Sequence, residues 1–337
     1  MRISLIDVDN KYRDLKKNAK TIPNLALMKL SSYHKAKGDI VNLNLNDPDI
    51  TYISCVFTWN QDKAIKEASK VHPPKVVICG GSGIDINFRL PENIECLKPD
   101  YDLYPSEYSQ GFTTRGCGRK CNFCIVPEKE GRIHTAQHPR EFHDDRFDTS
   151  MIMDNNLFMA PQEWQDSVFN WFIENKIKML SPQGWDIRLL NEKRAKALRE
   201  ITHAGMVHFA WDNIKDESAI LKGINLLAET GFDLRREISV YVLSGYNPDF
   251  GKDTFEQDIY RCNKLRSLGV QAYVMRYQPR TKTRTVIRGR RLNALARWAA
   301  SPEIYWKTPF EKYDRKEKRA IKECNQRKRI SLSTKNA

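Results

Sequence analysis

No uninterrupted apolar run in this sequence reaches membrane-spanning length, which excludes a helical bilayer span. The opening residues, Met-Arg-Ile-Ser-Leu-Ile-Asp-Val-Asp, meet Asp7 after six positions and contain no signal-peptide core. They read as a first β-strand, and a cytoplasmic location with no membrane partner is expected. Structural zinc sites usually show paired C-x2-C units, and only one such unit is present. Without a secretion signal, disulfides are a poor fit for clustered cysteines. No internal repeat is apparent.

Acidic residues are in the minority: 42 Asp and Glu stand against 56 Lys and Arg, for a net charge of +14 over 337 residues. The imbalance is local. From Lys282 to Ala337 there are 17 basic and 5 acidic residues, a net of +12, which leaves +2 for residues 1–281. Such a tail is either a solvated extension or a phosphate-binding arm for nucleic acid. Interleaved aromatics (Trp298, Tyr305, Trp306, Phe310 and Tyr313) favour some folded or docked structure there. The length allows two domains, or one barrel with an appendage.

Residues 1–83 alternate strand-like and helix-like segments. Strands are expected over 3–8, 40–45, 52–57 and 76–79, and helices over 25–36, capped by Asn24, and 61–71. Alternation of this kind predicts a parallel sheet with helices on both faces, a Rossmann-like layer. Its last strand runs into Gly80-Gly81-Ser82-Gly83, which suits either close approach to a ligand or a tight turn. A connector rich in Pro, Asp and Tyr spans 84–110. Six strand-like runs follow, over 111–115, 150–154, 177–180, 206–211, 237–243 and 271–277. Helices are expected over 161–175, 191–203, 216–230 and 253–268, several ending at a glycine suited to a helix C-terminus (Gly205, Gly231, Gly269). The expected fold class is therefore α/β. A Rossmann-like domain (1–83) and the connector (84–110) precede a partial (β/α)6 TIM-like barrel (111–281), with a basic C-terminal extension (282–337). Chemistry in such barrels sits at the C-terminal ends of the strands.

After the first of the six strands comes Gly111-Phe-Thr-Thr-Arg-Gly-Cys-Gly-Arg-Lys-Cys-Asn-Phe-Cys124. The C-x3-C-x2-C spacing puts Cys117, Cys121 and Cys124 on one loop. A four-iron cluster normally takes four thiolates, so three leave one iron open. A zinc site completed by His134 or His138 is the alternative. The other cysteines (Cys55, Cys79, Cys96, Cys262, Cys324) are scattered, and Cys55 and Cys79 lie in apolar strand-like runs as small core residues.

The three-cysteine loop, with Phe123 before its last cysteine, resembles the signature of the radical S-adenosylmethionine (SAM) superfamily. The resemblance implies a [4Fe-4S] cluster on Cys117, Cys121 and Cys124, SAM chelated at the open iron, and Phe123 near its adenine. It further implies reductive cleavage of SAM to a 5′-deoxyadenosyl radical, with electrons from a flavodoxin- or ferredoxin-type donor. Carried to the strand ends, it assigns Asp154, Asn155 and Asn156 to the SAM amino group, which needs rigid oxygen acceptors; a polar turn is the alternative. Asp186 and Arg188, on one side if that stretch is extended, would meet the ribose and carboxylate of SAM or else pair with each other. Asp212, Ser244 and Arg276 follow or end later strands and would face the mouth.

The run from Arg115 through Ile125-Val-Pro-Glu128 is similar to the branches containing methylthiotransferases and cobalamin-associated enzymes. Residues 1–83 are similar to the cobalamin-binding-like domain of the second branch. That domain usually carries a D-x-H-x-x-G loop, whereas this first strand runs into Asp7-Val-Asp9-Asn10 with no histidine. His34 falls within an expected helix and is expected at its surface. A scaffold without cobalamin is the favoured expectation, although cobalamin stays an alternative. A second cluster on Cys55, Cys79 and Cys96 is not expected. The substrate is left open: RNA or another polyanion docked by the tail, or a small molecule or peptide. A nucleic-acid-binding module with a structural metal site is the non-enzymatic alternative.

Overall fold

A computed structural model describes residues 1–10, 22–246, 254–278 and 289–315. The chain divides into two compact units. Met1–Gln183 and Ala197–Gly205 make up the first, whereas Gly184–Lys196, Met206–Gln278 and the described residues from 289 belong to the second. Both are mixed α/β.

In the first unit, β1 (Arg2–Asp7), β2 (Ile40–Leu43), β3 (Ile50–Ser54) and β4 (Val76–Gly80) form a wholly parallel sheet in the order β2-β1-β3-β4. Alternation along β1 feeds two faces. Ile3 and Leu5 pack with Leu27 and Leu30 of α1 (Leu25–Ala36), Val41, and Ile94 of α3 (Glu92–Glu95). Ile6 turns the other way, toward Ile53, Cys55 and Ala64 of α2 (Gln61–Ala68). Asn24 caps α1, its side chain accepting from the Leu27 N–H at 3.2 Å. His34 of α1 is buried, not at the surface as expected: Asp39 and the Tyr52 hydroxyl hold its two ring nitrogens at 2.7 and 3.1 Å.

The glycine run after β4 serves the chain itself. Gly81 has φ +99°, and a Cβ there would lie 2.4 Å from the Cys55 carbonyl oxygen; one on Gly83 would lie 2.8 Å from the Cys55 sulfur. The expected connector contributes to the core. Tyr101 and Tyr104 are buried against Met28, and the Tyr101 hydroxyl donates to the Phe142 carbonyl at 2.7 Å. No unit boundary falls at 83 or 110.

A second parallel sheet of this unit has the order β5-β8-β9, from Ser109–Gly111, Thr149–Ile152 and Lys178–Leu180. The strand expected over 111–115 is broken. After β5 the chain leaves the sheet, and β6 (Thr114–Arg115) pairs antiparallel with β7 (His134–Thr135). Helices α4 (Val126–Lys129), α5 (Pro139–Phe142) and α6 (Gln162–Asn175) complete the unit, α6 burying Val168, Phe169 and Phe172 on one stripe. Helix α7 (Glu192–Glu200) falls across the division of the chain.

The second unit is built on a parallel sheet, β10 (Val207–Ala210), β11 (Ile238–Ser244) and β12 (Gln271–Arg276). Val207, Phe209, Ile238, Val240, Val242, Ala272 and Val274 are buried and share one face by alternation. Helices α8 (Glu217–Glu229) and α9 (Thr254–Ser267) connect the strands, and Gly231 and Gly269 take positive φ after them, +93° and +76°. The expected boundary at 281/282 is not where the fold ends. Helices α10 (Arg290–Ala299) and α11 (Pro302–Lys307) bury Leu292, Leu295, Trp298, Tyr305 and, just beyond, Phe310. The Tyr305 hydroxyl lies 3.0 Å from the carbonyls of both Cys262 and Val270, and Arg266 Nε donates to the Tyr305 carbonyl at 2.6 Å. Three aromatics of the basic segment, Trp298, Tyr305 and Phe310, are thus core residues of this unit, whereas Trp306 and Tyr313 are half-buried. Residues 282–288 and 316–337, the rest of that segment, lie outside the described residues.

Candidate metal centre

The two-residue ladder of β6 and β7 closes the base of the cysteine loop, with Thr114 opposite Thr135 and Arg115 opposite His134. Inside it the Cys117 N–H donates to the Gly131 carbonyl at 3.1 Å. Gly116 makes this crossing sterically feasible: φ is +81°, and a Cβ would lie 2.3 Å from the Arg132 carbonyl oxygen. Cys124 donates its N–H to the Cys121 carbonyl at 2.9 Å, and α4 starts two residues later.

Amide N–H groups point at two of the sulfurs. Arg119 donates to Cys117 Sγ and Val126 to Cys124 Sγ, each at 3.4 Å, while Asn156 Nδ2 lies 3.6 Å from Cys117 Sγ. Donors of this kind stabilise thiolates and tune iron–sulfur centres. In its chemistry this donor set fits a thiolate-held cluster. Among the described residues no group of three His, Cys, Asp or Glu side chains is placed to hold a single metal ion. All three cysteines are half-buried and outside any disulfide.

Asp154, Asn155 and Asn156 do come together with the loop, but they grip the protein. The Asp154 carboxylate is buried and accepts from the Thr113 N–H at 2.6 Å, from the Thr113 hydroxyl, and from the Thr114 hydroxyl at 2.8 Å. Burial raises its pKa to about 6 against the lowering effect of these donors. Asn155 Oδ1 accepts from the Gly116 N–H at 3.0 Å, fixing the loop's first turn. Phe123 is half-buried within the loop.

Of the zinc alternative's histidines, His138 is engaged elsewhere. It caps α5, takes the Arg140 Nε at 2.9 Å on Nδ1, and has Ser167 Oγ 3.2 Å from Nε2. His134 is exposed on β7, its Nδ1 3.0 Å from the Arg132 carbonyl.

Asp186, Arg188 and Asp212 assemble at the strand ends of the second unit. Ile187–Leu189 forms a tight helical turn, not an extended stretch, and Arg188 bridges Asp186 at 2.7 Å and Asp216 at 2.9 Å. These two carboxylates hold the guanidinium charged, against its partial burial. Asp212 is half-buried; burial raises its pKa, against the pull of Arg261 and Arg188 and a hydrogen bond from the Leu243 N–H. Buried Arg261 ties two strand ends together by donating to the carbonyls of Trp211 and Leu243, and pairs with Asp258. Burial pushes Asp258 to about 6 despite that partner. Ser244 is wholly buried, its hydroxyl 3.3 Å from the Val242 carbonyl, whereas Arg276 is exposed and donates to Asn293 at 2.6 Å.

Sequence reasoning missed Arg115, Glu130, Glu95, Asp258, Arg261 and Met159, whose sulfur lies 4.0 Å from that of Cys117. Only Arg115, adjoining the motif, carried a local signal. Comparison with protein-family models finds no match, and no curated protein matches the chain.

Proposed function

We propose that this chain is a radical SAM enzyme. The observation that carries the reading is the C-x3-C-x2-C set on a loop closed by its own ladder, with amide donors aimed at Cys117 and Cys124. Cys117, Cys121 and Cys124 would hold a [4Fe-4S] cluster, which when bound supplies the electron that cleaves SAM to methionine and a 5′-deoxyadenosyl radical. The chain's own part is to orient the loop: Asn155 holds the Gly116 turn, and Asp154 secures the strand leading into it. The strands β5, β8 and β9 of the first unit and β10, β11 and β12 of the second lie in parallel sheets, which supports an α/β fold for each. No helix among the described residues is long and apolar enough to cross a membrane.

The first sheet's order, β2-β1-β3-β4, is that of flavodoxin-type doubly wound sheets and supports a cobalamin-binding-like layer. At the sheet's ligand-binding edge, Gly81 and Gly83 close onto Cys55 and Phe57, and Asp9 is taken up by the Val56 N–H and Asn60. These groups favour a scaffold over a cobalamin site. The charge of residues 282–337 supports RNA as the substrate class, with a small molecule or peptide as the alternative.

Anaerobic reconstitution tests the reading. About four irons and four sulfides per chain are expected, with 5′-deoxyadenosine released on reduction by a flavodoxin-type donor or a chemical reductant. Alanine at any one of the three cysteines should abolish the release; release sustained in all three variants would overturn the proposal.

A further inference from the structure

Glu95 ends the short helix α3, and two cations meet on its Oε1. Lys29 of α1 stands 3.3 Å away, and Arg115 Nη2 pairs with the same oxygen. The Lys29 side chain is 3 % exposed, and its ammonium also donates to the Glu95 carbonyl and to Gln137 Oε1, the latter at 2.9 Å. Burial lowers the pKa of Lys29, against the attraction of Glu95. Arg115 reaches onward to Glu130 at 3.4 Å and lies over the Phe112 ring, 4.0 Å from its centroid. Glu130, 7 % exposed, follows the α4 turn on the far side of the three cysteines. One line of alternating charge thus runs Lys29, Glu95, Arg115, Glu130. It leads from a helix of the N-terminal sheet, along the base of the cysteine loop, to the loop's return limb. Lys29 and Glu130 are enclosed, whereas the side chains of Arg115 and Glu95 that join them are 20 % and 32 % exposed; enclosed charges persist only where each has its partner, so breaking a link at Glu95 or Arg115 is expected to loosen the line.

We infer that Glu95 is a positioning residue: through Arg115 and Lys29 it fastens the cysteine loop to the N-terminal layer. That gives the layer a task that needs no cobalamin. The inference rests on the proposed function only for what the loop holds; the fastening itself belongs to the metal-free chain.

The test is thiol alkylation of the full, reduced, metal-free chain with N-ethylmaleimide, read cysteine by cysteine by peptide mass spectrometry. Glu95→Gln and Arg115→Gln should raise the rates at Cys117, Cys121 and Cys124 about tenfold, the scale of one lost charge-assisted hydrogen bond. Arg115→Lys should fall between, because an ammonium lacks the fork that spans two carboxylates. Buried Cys262 of the second unit should keep its wild-type rate. Unchanged rates at all three loop cysteines would overturn the inference. So would equal acceleration at Cys262, which marks global unfolding. Should Glu95→Gln disturb the buried Lys29, Arg115→Gln still decides, since it leaves the Lys29–Glu95 pair in place. A wild-type chain that takes up no iron would overturn the proposed function while leaving the alkylation result standing.

Discussion

Replacing Asp154 by Asn removes one titration from the heart of the candidate site while keeping the side chain's shape. The carboxylate is 6 % exposed and its pKa is raised from 3.8 to about 6. The folded chain therefore binds this proton more tightly than the unfolded chain does. Stability from this group is present below the unfolded value of 3.8 and is lost as the pH rises through about 6. With those two values, the wild-type chain should lose about 2 kcal/mol relative to Asp154→Asn between roughly pH 4.5 and pH 7.5. The amide keeps one oxygen for the Thr113 N–H, and the threonine hydroxyls can rotate to accept from its nitrogen. The assay is urea unfolding followed by tryptophan fluorescence across that range, comparing the two chains at each pH. Other titrating groups, Asp258 among them, are common to both and cancel in the difference. A stability gap that is flat with pH, or that moves in the wild-type chain's favour as the pH rises, would refute the reasoning.

Gly116→Ala should destabilise the loop by about 2–3 kcal/mol, the scale of a strained backbone position, because its Cβ would overlap the Arg132 carbonyl; limited proteolysis between residues 117 and 133 would show it. Ending the chain after Arg288 should unfold the second unit rather than merely weaken polyanion binding. It removes Leu292, Leu295, Trp298, Tyr305 and Phe310, each worth about 1.5–3 kcal/mol of burial; a discrete trypsin-resistant second unit would contradict this. His143 is buried, with neither ring nitrogen hydrogen-bonded among the described residues, and burial lowers its pKa. Wild-type stability should accordingly fall relative to His143→Phe as the pH drops below 6.5, the unfolded value, toward the depressed folded one; parallel melting curves at pH 5 and 7.5 test this.

Legibility followed the range of the interaction responsible. Helix α1 with its Asn24 cap depends on contacts within a few residues, and its periodicity and cap alone predict both its ends. The residues of 111–115 suit one extended strand, yet the segment breaks. Gly111 sits against the Phe142 ring, and Thr113 turns its N–H to Asp154. His34 looked like a surface residue because the Asp39 and Tyr52 that enclose it follow the helix. The tail's positive charge suggests a separate extension, although Trp298, Tyr305 and Phe310 are packed in the second unit's core. Charge is counted along the chain, whereas burial depends on what folds back against it.

Most of the longer helices and strands, the parallel character that strand–helix alternation imposes, and three thiols at ligand spacing on one loop are legible along the chain, whereas the break at 111–115 and helices α10 and α11 are not. Periodicity, capping and motif spacing act over a few residues, so the chain carries them directly. Folding in three dimensions sets the rest: Asp154 grips Thr113 and Thr114, Arg188 bridges Asp186 and Asp216, and Glu95 joins Lys29 to Arg115. Glu95 lies 66 residues from Lys29 and 20 from Arg115. Nothing local selects one carboxylate for one cation at such separations; the packing of sheets and helices does, by bringing those charges together in partly buried places where water competes less.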